Sequence, residues 1–330
     1  MKVTICGLGH ATHALVPLLC SKGHEIHVLT RRDNGIADRK KLDITTNTGL
    51  SGSCTISSDP ATIKYSDVIV MPVPSDTYDS YLEKMAPHIQ LGQSLVITPG
   101  QGRFYRYAQK HIDGYTLANI NISYVSPMPV NCRTVEEGKS VDVKAYKKNF
   151  FVTCEGNYID LELIRDLFDA KNITYQKGGS TLANLMPINP VIHTARLYNL
   201  FKDTDVIREN PLFYEQMSES DIELMHTIQR ELGRIGCAYK VVIPDLFEFL
   251  AKFVYETDYS NMHEFFTQYS AYKGFRSPVK PVRFGYSLDK SSRYIGEDVE
   301  LGLKVYQEYA RDRDVKTPVI DMIVDRLLSL

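Results

Sequence analysis

The chain has no tryptophan among its 330 residues, and its six cysteines contain no C-x-x-C pair. Scattered as Cys6, Cys20, Cys54, Cys132, Cys154 and Cys237, they form neither a zinc-type spacing nor a disulfide framework. They suit reduced thiols in the cytoplasm, and no metal site is expected. Charge of one sign is also missing: 38 basic residues stand against 40 acidic ones, a net of -2. That balance excludes the basic footprint of a nucleic-acid-binding protein. No apolar run approaches the ~18 residues needed to cross a bilayer, so no membrane partner is expected. The opening MKVTICGLGHATHALV resembles a secretory leader in its apolar stretch. It lacks the small-residue cleavage site and carries a glycine turn instead. Internal repeats and low-complexity segments are absent.

What is there is alternation. KVTICG, EIHVLT, DVIVMPVP and SLVITPG read as short strands ending at glycine, proline or polar turns, with helical HALVPLLCSKG and YDSYLEKMAPHI between them. Strands alternating with helices imply parallel βαβ units. ISYVSPMPV, SVDVKAY, NFFVTCEG and ITYQKG continue the strand-rich half around the helix YIDLELIRDLFDAKN. The glycines and serine at 178–180 mark a boundary. Beyond it helical periodicity takes over in DIELMHTIQRELGRIGCAYK, DLFEFLAKFVYET, MHEFFTQYSAYKG and EDVELGLKVYQEYARDRD. The last segment begins at Pro318 after Thr317, a capping residue type. The expected fold is therefore α/β: a Rossmann-like, doubly wound dinucleotide-binding domain over 1–180, then an all-helical substrate and catalytic domain over 181–330. The active site is expected between them.

KVTICGLGHAT places Gly7-x-Gly9-x-x-Thr12 directly after a strand and before a helix. In that context the first glycine permits a tight turn and the second lets backbone N–H groups approach a pyrophosphate. Thr12 stands where a third glycine usually stands, and His10 and Ala11 complete the turn. NAD-preferring sites carry an acidic residue at the end of the second strand. Here the strand runs into Thr30, Arg31 and Arg32, whose hydroxyl and guanidinium forks match a 2′-phosphate. NADP(H) is the expected preference, with NAD(H) the alternative. The turns at 71–76 and 98–102 should approach the nicotinamide half through Pro72, Pro74 and Gly100.

Two stretches stand out in the helical half. PINPVIHTARLYN sets Asn189 and His193 four apart, on one helix face, among residues that a core helix would make wholly apolar. RYIGEDV places Arg293 five residues before Asp298, read as opening a helix whose dipole keeps its carboxylate ionised. A structural alternative is that Arg293 and Asp298 merely pair to cap that helix. Taken with the GLGHATHA opening and the VMPVPSD turn, these motifs resemble the opine dehydrogenases, the octopine/nopaline dehydrogenase family. The resemblance implies a helical domain like the C-terminal domain of 6-phosphogluconate dehydrogenase. It also implies His193 as the catalytic acid/base, Asp298 as the residue that orients it, and Arg293 as the holder of a keto acid carboxylate. Thr194 stands where that family commonly has proline, and the chain is short for the family.

The implied reaction is a reductive condensation: an L-amino acid amine adds to an α-keto acid such as pyruvate, water leaves, and hydride reduces the imine. An imidazole suits the proton traffic because its ordinary pKa of about 6.5 lies near working pH. Arginine can grip a carboxylate in bidentate geometry, and Asn189 can bond a carboxylate or carbonyl. Tyr198, Tyr269, Tyr272 and Tyr294, among 21 tyrosines, are candidates to line a cleft. Two readings compete: an NADPH-dependent reductase of a simple keto acid or polyol phosphate, and a non-catalytic cofactor-binding regulator. The first would call for a lysine, which neither motif contains, and the second would not need the three polar residues. A homodimer through the apolar C-terminal helix is a further expectation.

Overall fold

The structure is a computed structural model that describes residues 1–31, 35–156 and 159–330; Arg32 lies outside the described residues. The chain divides into two compact units, 1–183 and 184–330.

The first unit is built on one sheet. Its strands are β1 (Lys2–Cys6), β2 (Glu25–Leu29), β3 (Lys41–Thr46), β4 (Ser51–Ser57), β5 (Val68–Met71), β6 (Ser94–Ile97), β7 (Asn121–Ser126), β8 (Val130–Glu136), β9 (Ser140–Tyr146), β10 (Asn149–Cys154) and β11 (Asn172–Tyr175). The spatial order is β11-β10-β7-β6-β5-β1-β2-β4-β3-β9-β8. β7, β6, β5, β1, β2 and β4 run parallel to one another. Val68–Met71 is buried throughout, as a strand covered by elements on both faces requires.

The sheet is mixed, not wholly parallel. β10 lies antiparallel to β7, β3 antiparallel to β4, and β8 antiparallel to β9. β3 and β4 form a hairpin whose burial alternates residue by residue in Lys41–Thr46. ISYVSPMPV is two strands, because Pro127 and Pro129 carry no N–H for a ladder and interrupt it between Ser126 and Val130. The chain order reverses about β1, which sits between β5 and β2. Such a reversal opens a crevice at the carboxyl ends of the strands.

The second unit is helical, except for a two-stranded hairpin, Val279–Val282 with Gly285–Leu288. Its longest helix, Glu219–Ala238, starts with a capping box: the Ser218 side chain accepts from Asp221 N–H while the Asp221 carboxylate accepts from Ser218 N–H. The C-terminal helix Pro318–Ser329 starts where expected, but Thr317 does not cap its backbone. The Thr317 hydroxyl donates to Asp321 Oδ1 at 3.3 Å instead. The apolar face of this helix, Ile320, Ile323, Val324 and Leu327, is buried within the chain's own fold, so it offers no unpartnered stripe to a second subunit. Among the described residues no helix is long and apolar enough to cross a membrane.

Candidate active site

At the end of β1, Gly7 adopts φ +82° and its N–H donates to Leu29 O at 2.7 Å. A Cβ there would lie 2.7 Å from Val73 Cγ1, so only glycine lets this turn pack against the loop after β5. Gly9 precedes the helix His10–Ser21 with no side chain capping it, and a Cβ on Gly9 would meet nothing within 4 Å. The turn thus presents open space in front of a helix start, as a pyrophosphate needs. Thr12 does not face that space. It is buried, and its hydroxyl donates to Gly7 O at 2.9 Å, closing the turn.

The turn is also held from the sheet's far edge. Thr134 N–H donates to His10 Nδ1 at 3.0 Å. Buried His13 has Nδ1 2.8 Å from Gly9 O and accepts from Gly138 N–H at Nε2, 2.7 Å away. At the end of β2, Thr30 is buried, whereas Arg31 is exposed. The Arg31 guanidinium lies 4.5 Å over the Tyr81 ring and donates to Ser80 Oγ. Pro74 is exposed and Pro72 half-buried; Gly100 is buried, and a Cβ on it would lie 2.9 Å from Tyr124 Cβ. Together the loops after β1, β2, β5 and β6 fit a bound dinucleotide.

In the second unit the prolines of PINPVIHTARLYN set the start of a helix and do not break it. The helix Asn189–Phe201 has Pro190 in its first turn, where a missing N–H costs nothing. Thr194 donates its hydroxyl to Pro190 O. Asn189 is exposed at the helix start, and His193, one turn on, is 3 % exposed. Asp298 does not open a helix. It sits within the π-helix Tyr294–Leu303, too far from the end for the macrodipole to act on it. A different interaction holds it: His193 Nδ1 lies 2.7 Å from Asp298 Oδ2, and Asp298 is 5 % exposed.

Gly302 sets the approach of these two helices. A Cβ on it would lie 2.7 Å from Pro190 Cγ, so the π-helix can close on the start of the histidine helix only without a side chain there. Arg293 precedes the π-helix, is exposed, and makes no hydrogen bond or ion pair among the described residues. It is therefore not the capping partner of Asp298. Its charge acts on the nearby Tyr214 phenol, favouring ionisation.

The sequence did not point to Tyr214. Its hydroxyl lies 2.9 Å from His193 Nε2. It stands in the loop after the histidine helix, held by Phe213 N–H donating to Phe275 O at 2.7 Å and Ser277 N–H donating to Pro211 O at 3.1 Å. Buried Arg196 also reaches this loop, donating to Leu212 O at 3.5 Å and pairing with Asp221 at 2.9 Å. Tyr294 stacks on the His193 ring at 4.2 Å and 19°, and Phe213 meets that ring edge-on at 5.5 Å. Tyr272 stacks on Tyr214 at 4.4 Å. Burial, chiefly, and the neighbouring Tyr294, Tyr255 and Asp298 push the Tyr214 phenol well above its ordinary pKa, so it stays protonated. Of the four tyrosines singled out above, Tyr294 and Tyr272 join this cluster directly. Tyr269 packs behind Tyr272 at 5.6 Å.

One unit with a Rossmann-like sheet and an open glycine turn, and a second, helical unit with a buried carboxylate–imidazole–phenol chain, define a nicotinamide-dependent dehydrogenase of the two-domain kind. Residues 180–328 match the family described as NAD/NADP octopine/nopaline dehydrogenase, alpha-helical domain. The octopine dehydrogenase of Mizuhopecten yessoensis is 25 % identical over 98 % of this chain and 88 % of its own length. The tauropine dehydrogenase of Arabella iricolor is 26 % identical over 98 % of this chain and 89 % of its own length. An octopine dehydrogenase solved in complex with NADH and agmatine superposes with a TM-score of 0.84, at 24 % identity, over 99 % of this chain and 88 % of that one. The helical half of the chain thus matches the alpha-helical domain of the octopine/nopaline dehydrogenases, the family its motifs resemble, and the protein is an oxidoreductase.

Proposed function

We propose that the protein is an NAD(P)H-dependent opine dehydrogenase. It condenses the amine of an L-amino acid with a small α-keto acid such as pyruvate and reduces the resulting imine. The observation that carries this reading is the buried His193–Asp298 pair, 2.7 Å apart. Bound NAD(P)H supplies the hydride. Arg293, exposed and without an ion pair among the described residues, receives the keto acid carboxylate in a bidentate grip that fixes the reacting carbon. Asn189 supplies a second polar contact from the start of the helix that carries His193.

His193 is the proton carrier. An ammonium must lose a proton before its nitrogen can attack the keto carbon, and the hydroxyl of the resulting carbinolamine must gain one to leave as water. Asp298 accepts from Nδ1–H, which fixes the tautomer with its lone pair at Nε2 and stabilises the imidazolium that forms. The Tyr294 and Phe213 rings cover the imidazole and keep bulk water from short-circuiting the transfer. Gly7, Gly9, His10, Ala11 and Thr12 shape the pyrophosphate turn. Arg31 at the end of β2 favours NADP(H), since its guanidinium, held over the Tyr81 ring, can fork onto a 2′-phosphate. The free thiols fit a reducing compartment such as the cytoplasm.

The test is NADPH oxidation with pyruvate and a panel of amines that includes L-arginine and taurine. Oxidation that requires both keto acid and amine is expected. Oxidation with keto acid alone would instead mark a simple keto acid reductase.

A further inference from the structure

Both nitrogens of the His193 ring are engaged by buried side chains: Nδ1 by Asp298 at 2.7 Å and Nε2 by the Tyr214 hydroxyl at 2.9 Å. Its face is stacked on Tyr294 at 4.2 Å, and Phe213 lies against it edge-on. A proton leaving the imidazolium therefore has two exits. The Asp298 exit ends in a buried carboxylate with no other hydrogen-bond partner among the described residues. The Tyr214 exit ends on a hydroxyl whose own proton can be handed on.

We propose that Tyr214 is the terminal proton donor and acceptor of the site, so that His193 acts on substrate through the Tyr214 hydroxyl. In the dehydration step the Nε2–H bond breaks and a new O–H bond forms on Tyr214. At the same time the original Tyr214 O–H breaks, its proton goes to the carbinolamine hydroxyl, and that C–O bond breaks to release water. The imidazolium becomes neutral, Tyr214 is unchanged, and the substrate becomes the iminium. In the amine-activation step the same two protons move the other way. Because burial keeps the phenol protonated, the two transfers are coupled and no free phenolate forms.

The loop that carries Tyr214 is built for a fixed hydroxyl. Phe213 N–H and Ser277 N–H tie it to the Phe275–Ser277 segment on both sides of the bridge between Leu212 and Arg276. Tyr272 and Phe266 stack on the ring at 4.4 Å and 6.1 Å, which holds its orientation without using the hydroxyl. A tyrosine kept only for packing would need no such alignment with Nε2.

The proposal rests on the role of His193 stated above, and the experiment separates the two. Single-turnover NADPH oxidation with pyruvate and the best amine of the panel is followed in H2O–D2O mixtures. The wild-type protein is expected to give a bowl-shaped proton inventory, because two protons move in one step. Tyr214→Phe keeps the stacked ring and is expected to turn over about 100-fold slower, the usual range for losing a positioned proton donor, with a linear inventory and a KM for each substrate within about threefold. A linear wild-type inventory overturns the relay, and this needs no variant to fold. So does a Tyr214→Phe rate within twofold of wild type. If His193→Ala abolishes turnover while Tyr214→Phe does not, the relay fails and the role of His193 stands. If neither variant is slowed, both fail.

Discussion

A histidine buried to 3 % exposure is tolerable because both of its nitrogens are satisfied, and the same satisfaction defines its chemistry. Nδ1 is committed to Asp298, so only Nε2 is left for proton traffic. Asp298→Asn is expected to lower kcat by at least about 100-fold with the fold intact, because an amide can pair with either tautomer and cannot stabilise the imidazolium; pre-steady-state rates and a melting curve check both halves. Arg293 makes no ion pair among the described residues, so Arg293→Ala is expected to raise the KM for the keto acid tenfold or more. Its melting temperature should stay at the wild-type value, and an equal loss for both substrates would remove Arg293 from carboxylate binding. His193 and Asp298, which the structure pairs, could be singled out in the sequence because each is a polar residue at an unexpected place or in a motif. Tyr214 was not. It is one of 21 tyrosines, and its contact with His193 depends on a loop pinned to Phe275–Ser277, some sixty residues further along the chain, a pairing that leaves no periodic mark.

The elements that bring these residues together are two helices in close approach. Pro190 starts one and Gly302 ends the contact on the other, with no room for a methyl between them. Gly302→Ala is expected to push the helices apart, costing about 1–3 kcal/mol as overpacking does, and to weaken the His193–Asp298 bond. A lower melting temperature together with a lower kcat is the expected pair of results; a change in neither would mean that the close approach is not needed. The helix Asn189–Phe201 could be read from its prolines, since one precedes it and the other sits in its first turn. The placing of Asp298 could not. A π-helix shifts the face presented per turn, and apolar spacing alone reads it as an ordinary α-helix starting later. The β3–β4 hairpin was missed for another reason: the strands SGSCTIS and KLDITT alternate in burial, but with serine and threonine in place of strongly apolar residues.

At the scale of the whole molecule, the first unit carries the glycine turn proposed for the dinucleotide and the second the His193–Asp298 pair proposed for proton transfer, and each has its own hydrogen-bonded scaffold. Changes in one should therefore leave the other's binding function standing. Arg31→Ala is expected to weaken NADPH at least tenfold more than NADH while leaving the KM for keto acid and amine within about threefold; equal losses for the two dinucleotides would contradict a 2′-phosphate role. The division into a strand-rich and a helical half was legible because hydrophobic period changes sharply near residue 181, from alternating strands to helices. The direction of the outer strands was not, since antiparallel and parallel pairing share the same alternation.

In the function proposed above, His193 moves the protons of a condensation and does not bind the dinucleotide. The most direct measurement of this is single-turnover NADPH oxidation by His193→Ala, with pyruvate and the best amine, alongside the NADPH dissociation constant of the same variant. Turnover is expected to fall by a factor of about 1,000 or more, within the range that positioned acid–base groups supply, with the dissociation constant within about threefold of wild type. Wild-type turnover, or a loss matched by an equal loss of NADPH affinity, would contradict it.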